Sequence, residues 1–136
     1  MNTDLISAVS PEELAAFRKE RQAILDKAVA VILENKECQE VLGPNAHEII
    51  SSGMSFTAHT IESIMTVAVP EMVSQQLAWG NEYLPGVGIS PEMILHNFEI
   101  LALTTQEILP PEDYPALTKW MRLLVEKQKE RVVKGE

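Results

Sequence analysis

The sequence predicts an all-α fold, a bundle of five to six helices, from three observations. Proline followed by glutamate occurs four times, and after each pair apolar residues recur at steps of three and four. Proline fits the first turn of a helix, and a carboxylate beside it interacts favourably with the positive end of the helix dipole. No segment shows the sustained alternation of polar and apolar residues that indicates a strand. The pairs are Pro11-Glu12, Pro70-Glu71, Pro91-Glu92 and Pro111-Glu112.

The first helix is predicted over residues 11–35, with Ser10 as a cap that accepts a free backbone N–H. A shorter helix over 37–42 ends at Gly43-Pro44, a strong stop signal, and Cys38 and Val41 help to pack this corner. The apolar stripe of the first helix consists of Leu14, Phe17, Ile24, Leu25, Ala28, Val31 and Ile32.

The second long helix is predicted over residues 45–69, and a third over 70–84. Gly53 costs the second helix about 1 kcal/mol relative to alanine, so it predicts a close crossing with another helix. The buried seam of the second helix is Met54, Ala58, Ile61, Met65 and Ala68. The third helix is predicted to bury Val73, Leu77, Gly80 and Leu84, with Trp79 and Tyr83 at its edge.

The fourth helix, over residues 91–109 with Ser90 as its cap, is the most hydrophobic. Its wide apolar surface predicts either a core contact plus a partner contact, or a central position within one subunit. The last helix is predicted over 113–132. Leu117, Met121, Leu124 and Val125 point inward from it, and Trp120 flanks them.

Composition predicts one folded domain over residues 1–136, since 46% of the residues are hydrophobic and 23% are charged. The net charge of −9 argues against a nucleic-acid partner, which requires a basic surface. Cys38 is the single cysteine, so no disulfide forms within the chain. With no leader segment and no apolar run long enough to span a bilayer, we expect a soluble cytoplasmic protein without membrane insertion.

The sequence contains no catalytic or metal-binding motif, so we predict no enzyme, no catalytic residue and no metal site. His47, His59 and His96 are isolated from one another, and none has the spacing that places two ligands on one metal. Surface positions are the better interpretation for the histidines. For Cys38, which has no base near it in sequence, a small core residue is the better interpretation.

The order of the helices resembles the globin superfamily. The segment 77–90, in which Trp79 precedes a turn with Gly86 and Gly88, is similar to the F-to-G passage of haem-free sensory globin domains in bacterial stress and sporulation signalling proteins. The resemblance implies a globin-like bundle. In it, 11–35 corresponds to the A/B region, 45–69 to helix E, 70–84 to helix F, 91–109 to helix G and 113–132 to helix H.

A haem globin needs a proximal histidine on helix F, and residues 70–84 contain none, so we expect no cofactor. Phycobiliproteins hold bilin through a cysteine on helix E, whereas Cys38 precedes that helix. The resemblance implies a sensory or regulatory domain that binds a small fatty-acid-like ligand and modulates a signalling partner. The side chains that converge on the ligand position are Met54, Ile61, Met65, Leu77, Phe98, Leu101, Met121 and Leu124.

Three alternatives stay open. The same side chains can fill the core and leave no pocket. The chain can bind haem or another tetrapyrrole through His59 or His96, or it can be a helical dimeric interaction module with a filled core. We also predict a homodimer built on the last two helices, because Trp120 lies just off the inward seam of the last helix.

Overall fold

The structure is a computed structural model that describes residues 9–134, except for the side chain of Val87. Every regular element within this range is helical, which confirms the predicted all-α bundle. Short 3-10 turns at Gly43–Asn45 and Leu84–Val87 join some of the helices. The helices are α1 (Pro11–Leu33), α2 (Lys36–Leu42), α3 (Ala46–Val67), α4 (Glu71–Tyr83), α5 (Pro91–Ile108) and α6 (Pro115–Lys134).

The predicted serine caps are confirmed at two helices. The Ser10 hydroxyl accepts the backbone N–H of Glu13 at 3.2 Å, and the Ser90 hydroxyl accepts that of Met93 at 3.1 Å. The prediction that the first helix reaches residue 35 is wrong by two residues. The Asn35 side chain accepts the N–H of Glu37 at 2.9 Å and so begins α2 instead.

The last helix begins at Pro115, two residues after the predicted start at residue 113, and the pair Pro111-Glu112 lies in a turn before it. The backbone N–H groups of Asp113 and Tyr114 both donate to the carbonyl of Pro110 at 3.0 Å, which closes a turn before α6 begins. The first turn of α6 is capped from α1, because the Glu13 carboxylate accepts the N–H of Leu117 at 3.0 Å.

Helices α5 and α6 form the most extensive pair, and α1 packs across both α3 and α5. This arrangement corrects the prediction for Trp120, which has 0% of its surface exposed rather than flanking the seam. Helix α6 packs against α5, α4 and α1, so its buried face is wider than one seam. Leu101 of α5 and Leu117 of α6 are equally buried at the centre.

Three further expectations about packing are wrong. Val31 is 39% exposed because the buried stripe of α1 follows the four-residue steps through Ala28 and Ile32. Gly53 marks no helix crossing, since no atom of another helix lies within 4 Å of the position that a Cβ atom would occupy. Val125 is only half-buried rather than pointing fully inward.

Glu62 ties α3 to α1. Its carboxylate accepts a hydrogen bond from Arg18 Nε at 2.7 Å and a second one from Arg21. After α3 the chain reverses at Ala68, whose φ of 57° lies in the left-handed region. Its N–H still donates to Ile64 at 2.8 Å and ends the helix. Within residues 9–134, no helix combines the length and the apolar character needed to cross a membrane.

An amide pair formed by the partly buried Asn81 and the buried Gln128 ties α4 to α6. The Asn81 amide donates to Gln128 Oε1 at 2.7 Å, and the Gln128 amide donates back to Asn81 Oδ1 at 2.9 Å. Gln128, which is fully buried, also donates to the carbonyl of Pro91 at 3.0 Å, and Asn81 donates to that of Leu77 at 2.7 Å. One network therefore holds α4, α6 and the first residue of α5.

Replacement of either side chain should remove both hydrogen bonds of the pair and leave part of the other amide unsatisfied. We expect Gln128→Leu and Asn81→Ala each to lower the free energy of unfolding by about 1–3 kcal/mol. The double variant should lose less than the sum of the two, with a coupling energy of about 1 kcal/mol. Urea unfolding of the four proteins measures this coupling, and strictly additive losses would contradict the network.

Candidate functional site

An apolar groove lies between α3 and α4 and encloses about 300 Å³. Its two walls come from these helices, and its floor comes from Ile94 and Phe98 of α5 and Leu124 of α6. The volume is at the lower end of the range of roughly 300–1,000 Å³ that small-molecule sites occupy. The wall residues are Ser52, Gly53, Phe56, Thr57, Thr60, Ile61 and Ile64 of α3, together with Val73, Gln76, Leu77, Trp79, Gly80, Asn81, Tyr83 and Leu84 at and after α4.

The groove is open because small residues face it and because α4 is held elsewhere. Gly53 and Gly80 line opposite walls without side chains. Helix α4 has more extensive contacts with α6 than with α3, and the Asn81–Gln128 pair fixes it there. The two walls consequently separate after the reversal at Ala68, and the space between them is not filled by the core.

Three aromatic side chains line the groove on its solvent side. Trp79 and Tyr83 stack with ring centroids 5.2 Å apart and planes 7° from parallel, and Phe56 lies 6.0 Å from Trp79. Their exposed fractions are 55% for Phe56, 51% for Trp79 and 60% for Tyr83. Large apolar side chains that are clustered and exposed indicate a surface that a ligand or partner covers.

Two polar side chains of the groove are engaged in hydrogen bonds within the protein. The Thr57 hydroxyl donates to the Gly53 carbonyl at 2.9 Å, and the Asn81 amide is engaged with Gln128 and Leu77. The Thr60 hydroxyl on one wall and the Gln76 amide on the other form no hydrogen bond with any described residue. No described residue that lines the groove carries a charge.

The eight residues predicted to line a pocket divide into two groups. Ile61, Leu77, Phe98 and Leu124 line the groove. The other four are almost completely buried and belong to the core beneath it, where they contact apolar neighbours rather than a cavity. These four are Met54, Met65, Leu101 and Met121.

The histidines lie away from the groove. All three are exposed, and His59 Nδ1 donates to the Ser55 carbonyl at 2.8 Å on the outer side of α3. His96 lines a different hollow, on the outer face of α5 and α6. A tetrapyrrole in the groove would therefore take its axial ligand from neither His59 nor His96. Among residues 9–134 no three metal-ligating side chains cluster.

Cys38 lies in the core at the corner between α1 and α3. Burial raises the pKa of the Cys38 thiol, because the thiolate is poorly solvated there. The thiol therefore remains protonated near neutral pH, and it lacks the low pKa of a reactive cysteine.

The sequence predicts Trp79 and Tyr83 at the edge of the third helix. It does not identify Gly53, Phe56, Thr60 and Gln76 as groove residues. Two signals in the sequence could have identified the groove. Glycine in the interior of a long helix removes a side chain from one face, and Trp79 and Tyr83 share one face of α4 at a spacing of four.

Comparison with protein-family models, curated proteins and solved structures finds no match to this chain.

The two tryptophans should report separately on the groove and the core. Trp79 is half exposed in the groove, whereas Trp120 is fully buried. We expect Trp79→Phe to remove the red-shifted emission that acrylamide quenches and to leave a blue-shifted, protected component from Trp120. Steady-state fluorescence with acrylamide titration measures both components. Emission that remains strongly quenchable in Trp79→Phe would contradict the burial of Trp120.

Proposed function

We propose that the protein is a haem-free, non-catalytic regulatory domain that binds a small apolar molecule in the α3–α4 groove. The observation that carries this proposal is the groove itself, a space of about 300 Å³ with an apolar floor and three exposed aromatic rings. Covering these rings removes apolar surface from water, at roughly 25 cal/mol per Å². The site has no cluster of titratable groups to support catalysis among its described residues.

The resemblance to sensory globins supports the same proposal. Helices α3 and α4 correspond to helices E and F of that resemblance, and α5 and α6 correspond to G and H. The groove lies between the E-like and F-like helices, above the G-like and H-like helices, where a globin ligand is expected. By this resemblance, ligand binding in the groove would alter the interaction of the protein with a signalling partner.

Gly53→Leu should fill the groove without damaging the fold. The position has open space around it, and leucine is a better helix former than glycine by about 1 kcal/mol. We expect 1-dodecanol to raise the melting temperature of the natural protein. At a hundredfold excess over Kd, the ligand should add about 2.7 kcal/mol to the free energy of unfolding. Gly53→Leu should melt higher than the natural protein in the absence of ligand and respond weakly to dodecanol.

Ala30→Leu is the matched control, because it adds the same side chain to an exposed position of α1 away from the groove. It should respond to dodecanol as the natural protein does. An undiminished response of Gly53→Leu would place binding elsewhere. If dodecanol, methyl dodecanoate and dodecanoate all fail to stabilise the natural protein, the proposed function is wrong.

A second candidate role, self-association through α5 and α6, is favoured by one hollow on their outer face. Leu103 is exposed there beside Ile100 and Val125. Arg122 lines the same hollow and forms no ion pair with any described residue. Two carboxylates, Glu99 of α5 and Glu126 of α6, also line this hollow. A two-fold contact would pair the arginine of one copy with the carboxylates of the other.

The dimer predicts different outcomes at two neighbouring positions. Leu103→Glu should give a folded monomer, because that side chain is exposed. Ile100→Glu should lower the free energy of unfolding by several kcal/mol, because that side chain is buried. Sedimentation and urea unfolding distinguish the two effects. A natural protein that sediments as a monomer at micromolar concentration would exclude this role.

A further inference from the structure

Lysine and arginine are absent from the middle of the chain. Residues 37–118 contain no lysine or arginine and eleven aspartates and glutamates. Helices α3, α4 and α5, which form both walls of the groove and most of its floor, lie entirely within this segment. The groove is therefore built by the part of the chain that has only negative formal charges.

Four basic side chains from other helices lie near this segment, but they do not line the groove. Arg18 and Arg21 reach α3, but both are paired with Glu62, which does not line the groove. Lys127 and Arg131 of α6 line a neighbouring hollow that shares Leu77 with the groove, and Glu130 lines that hollow with them. None of these four cations lines the α3–α4 groove.

No residue that lines the groove would therefore offer a cation to a bound carboxylate. The chain carries a net charge of −9, and its field repels an anion until salt screens it over a length of about 10 Å at ordinary ionic strength. An anionic head would meet this repulsion and would also lose part of its hydration against an uncharged wall. An uncharged polar head would meet neither cost.

Two groups suit an uncharged head. The Thr60 hydroxyl and the Gln76 amide line opposite walls and have no hydrogen-bond partner among the described residues. Between them they offer both a donor and an acceptor to a hydroxyl, ester or amide.

Building on the proposed function, we infer that the α3–α4 groove selects an uncharged apolar ligand, an alcohol, ester or amide with an aliphatic tail, over the corresponding fatty acid. The aliphatic tail lies against Phe98 and Leu124 of the floor, and the polar end lies near Thr60 and Gln76.

Ligands with one tail and different heads test this inference. Isothermal titration compares 1-dodecanol, dodecanoate and dodecyltrimethylammonium below their micelle concentrations. We expect dodecanol to bind at least about tenfold more tightly than dodecanoate. Added salt should narrow this difference, because it screens the repulsion of the carboxylate. Equal or tighter binding of dodecanoate would overturn the inference, and so would tighter binding of the trimethylammonium compound.

A variant that should bind dodecanoate more tightly provides a second test. Gln76→Lys adds a cation to the wall and should raise the affinity for dodecanoate about tenfold, with little change for dodecanol. Gln75→Lys adds the same charge at an exposed neighbour that does not line the groove, and should change dodecanoate binding much less. Equal gains in the two variants would show that net charge, not the groove, sets the preference. Failure of every dodecyl compound to bind would instead reject the proposed function.

Discussion

The position of α4 depends on the amide pair between Asn81 and Gln128. Most side chains of α4 are exposed, and only Val73 and Leu77 are buried. Apolar packing alone therefore binds this helix only weakly to the rest of the bundle. The pair adds two partly buried hydrogen bonds, and Gln128 extends the network to the carbonyl of Pro91. Because a buried amide without its partner is costly, the network fixes the register of α4 on α6. The gap between α4 and α3 follows from this choice of neighbour.

Three methionines and three aromatic residues take positions opposite to those that their chemistry suggests. Met54, Met65 and Met121 were expected to line an adaptable pocket, yet they are buried and fill the core. Phe56, Trp79 and Tyr83 are large enough to anchor a core, yet more than half of each is exposed at the groove. The flexible side chains thus complete the packing where space is irregular, while the rigid rings form a surface for another molecule.

Local signals predicted the helices well and their neighbours poorly. Ser10 and Ser90 act on backbone groups three residues away, so the sequence alone identifies these helix starts. The buried state of Trp120 depends on α6 being covered from several sides, which apolar spacing along one helix does not reveal. The groove is even harder to predict from the sequence, because it lies where α3 and α4 do not pack closely against each other. Four of the residues named from the sequence, Ile61, Leu77, Phe98 and Leu124, each from a different helix, lie in the lining of the groove.

The two walls of the groove are anchored to different parts of the bundle. Glu62 ties α3 to Arg18 and Arg21 of α1, whereas Asn81 ties α4 to α6. A ligand between the walls would add contacts between two helices that otherwise touch little. It can shift their relative position only to the extent that it binds one arrangement better than another. Under the proposed function, the signal is therefore the distance between α3 and α4, and a partner that contacts both helices would sense it directly.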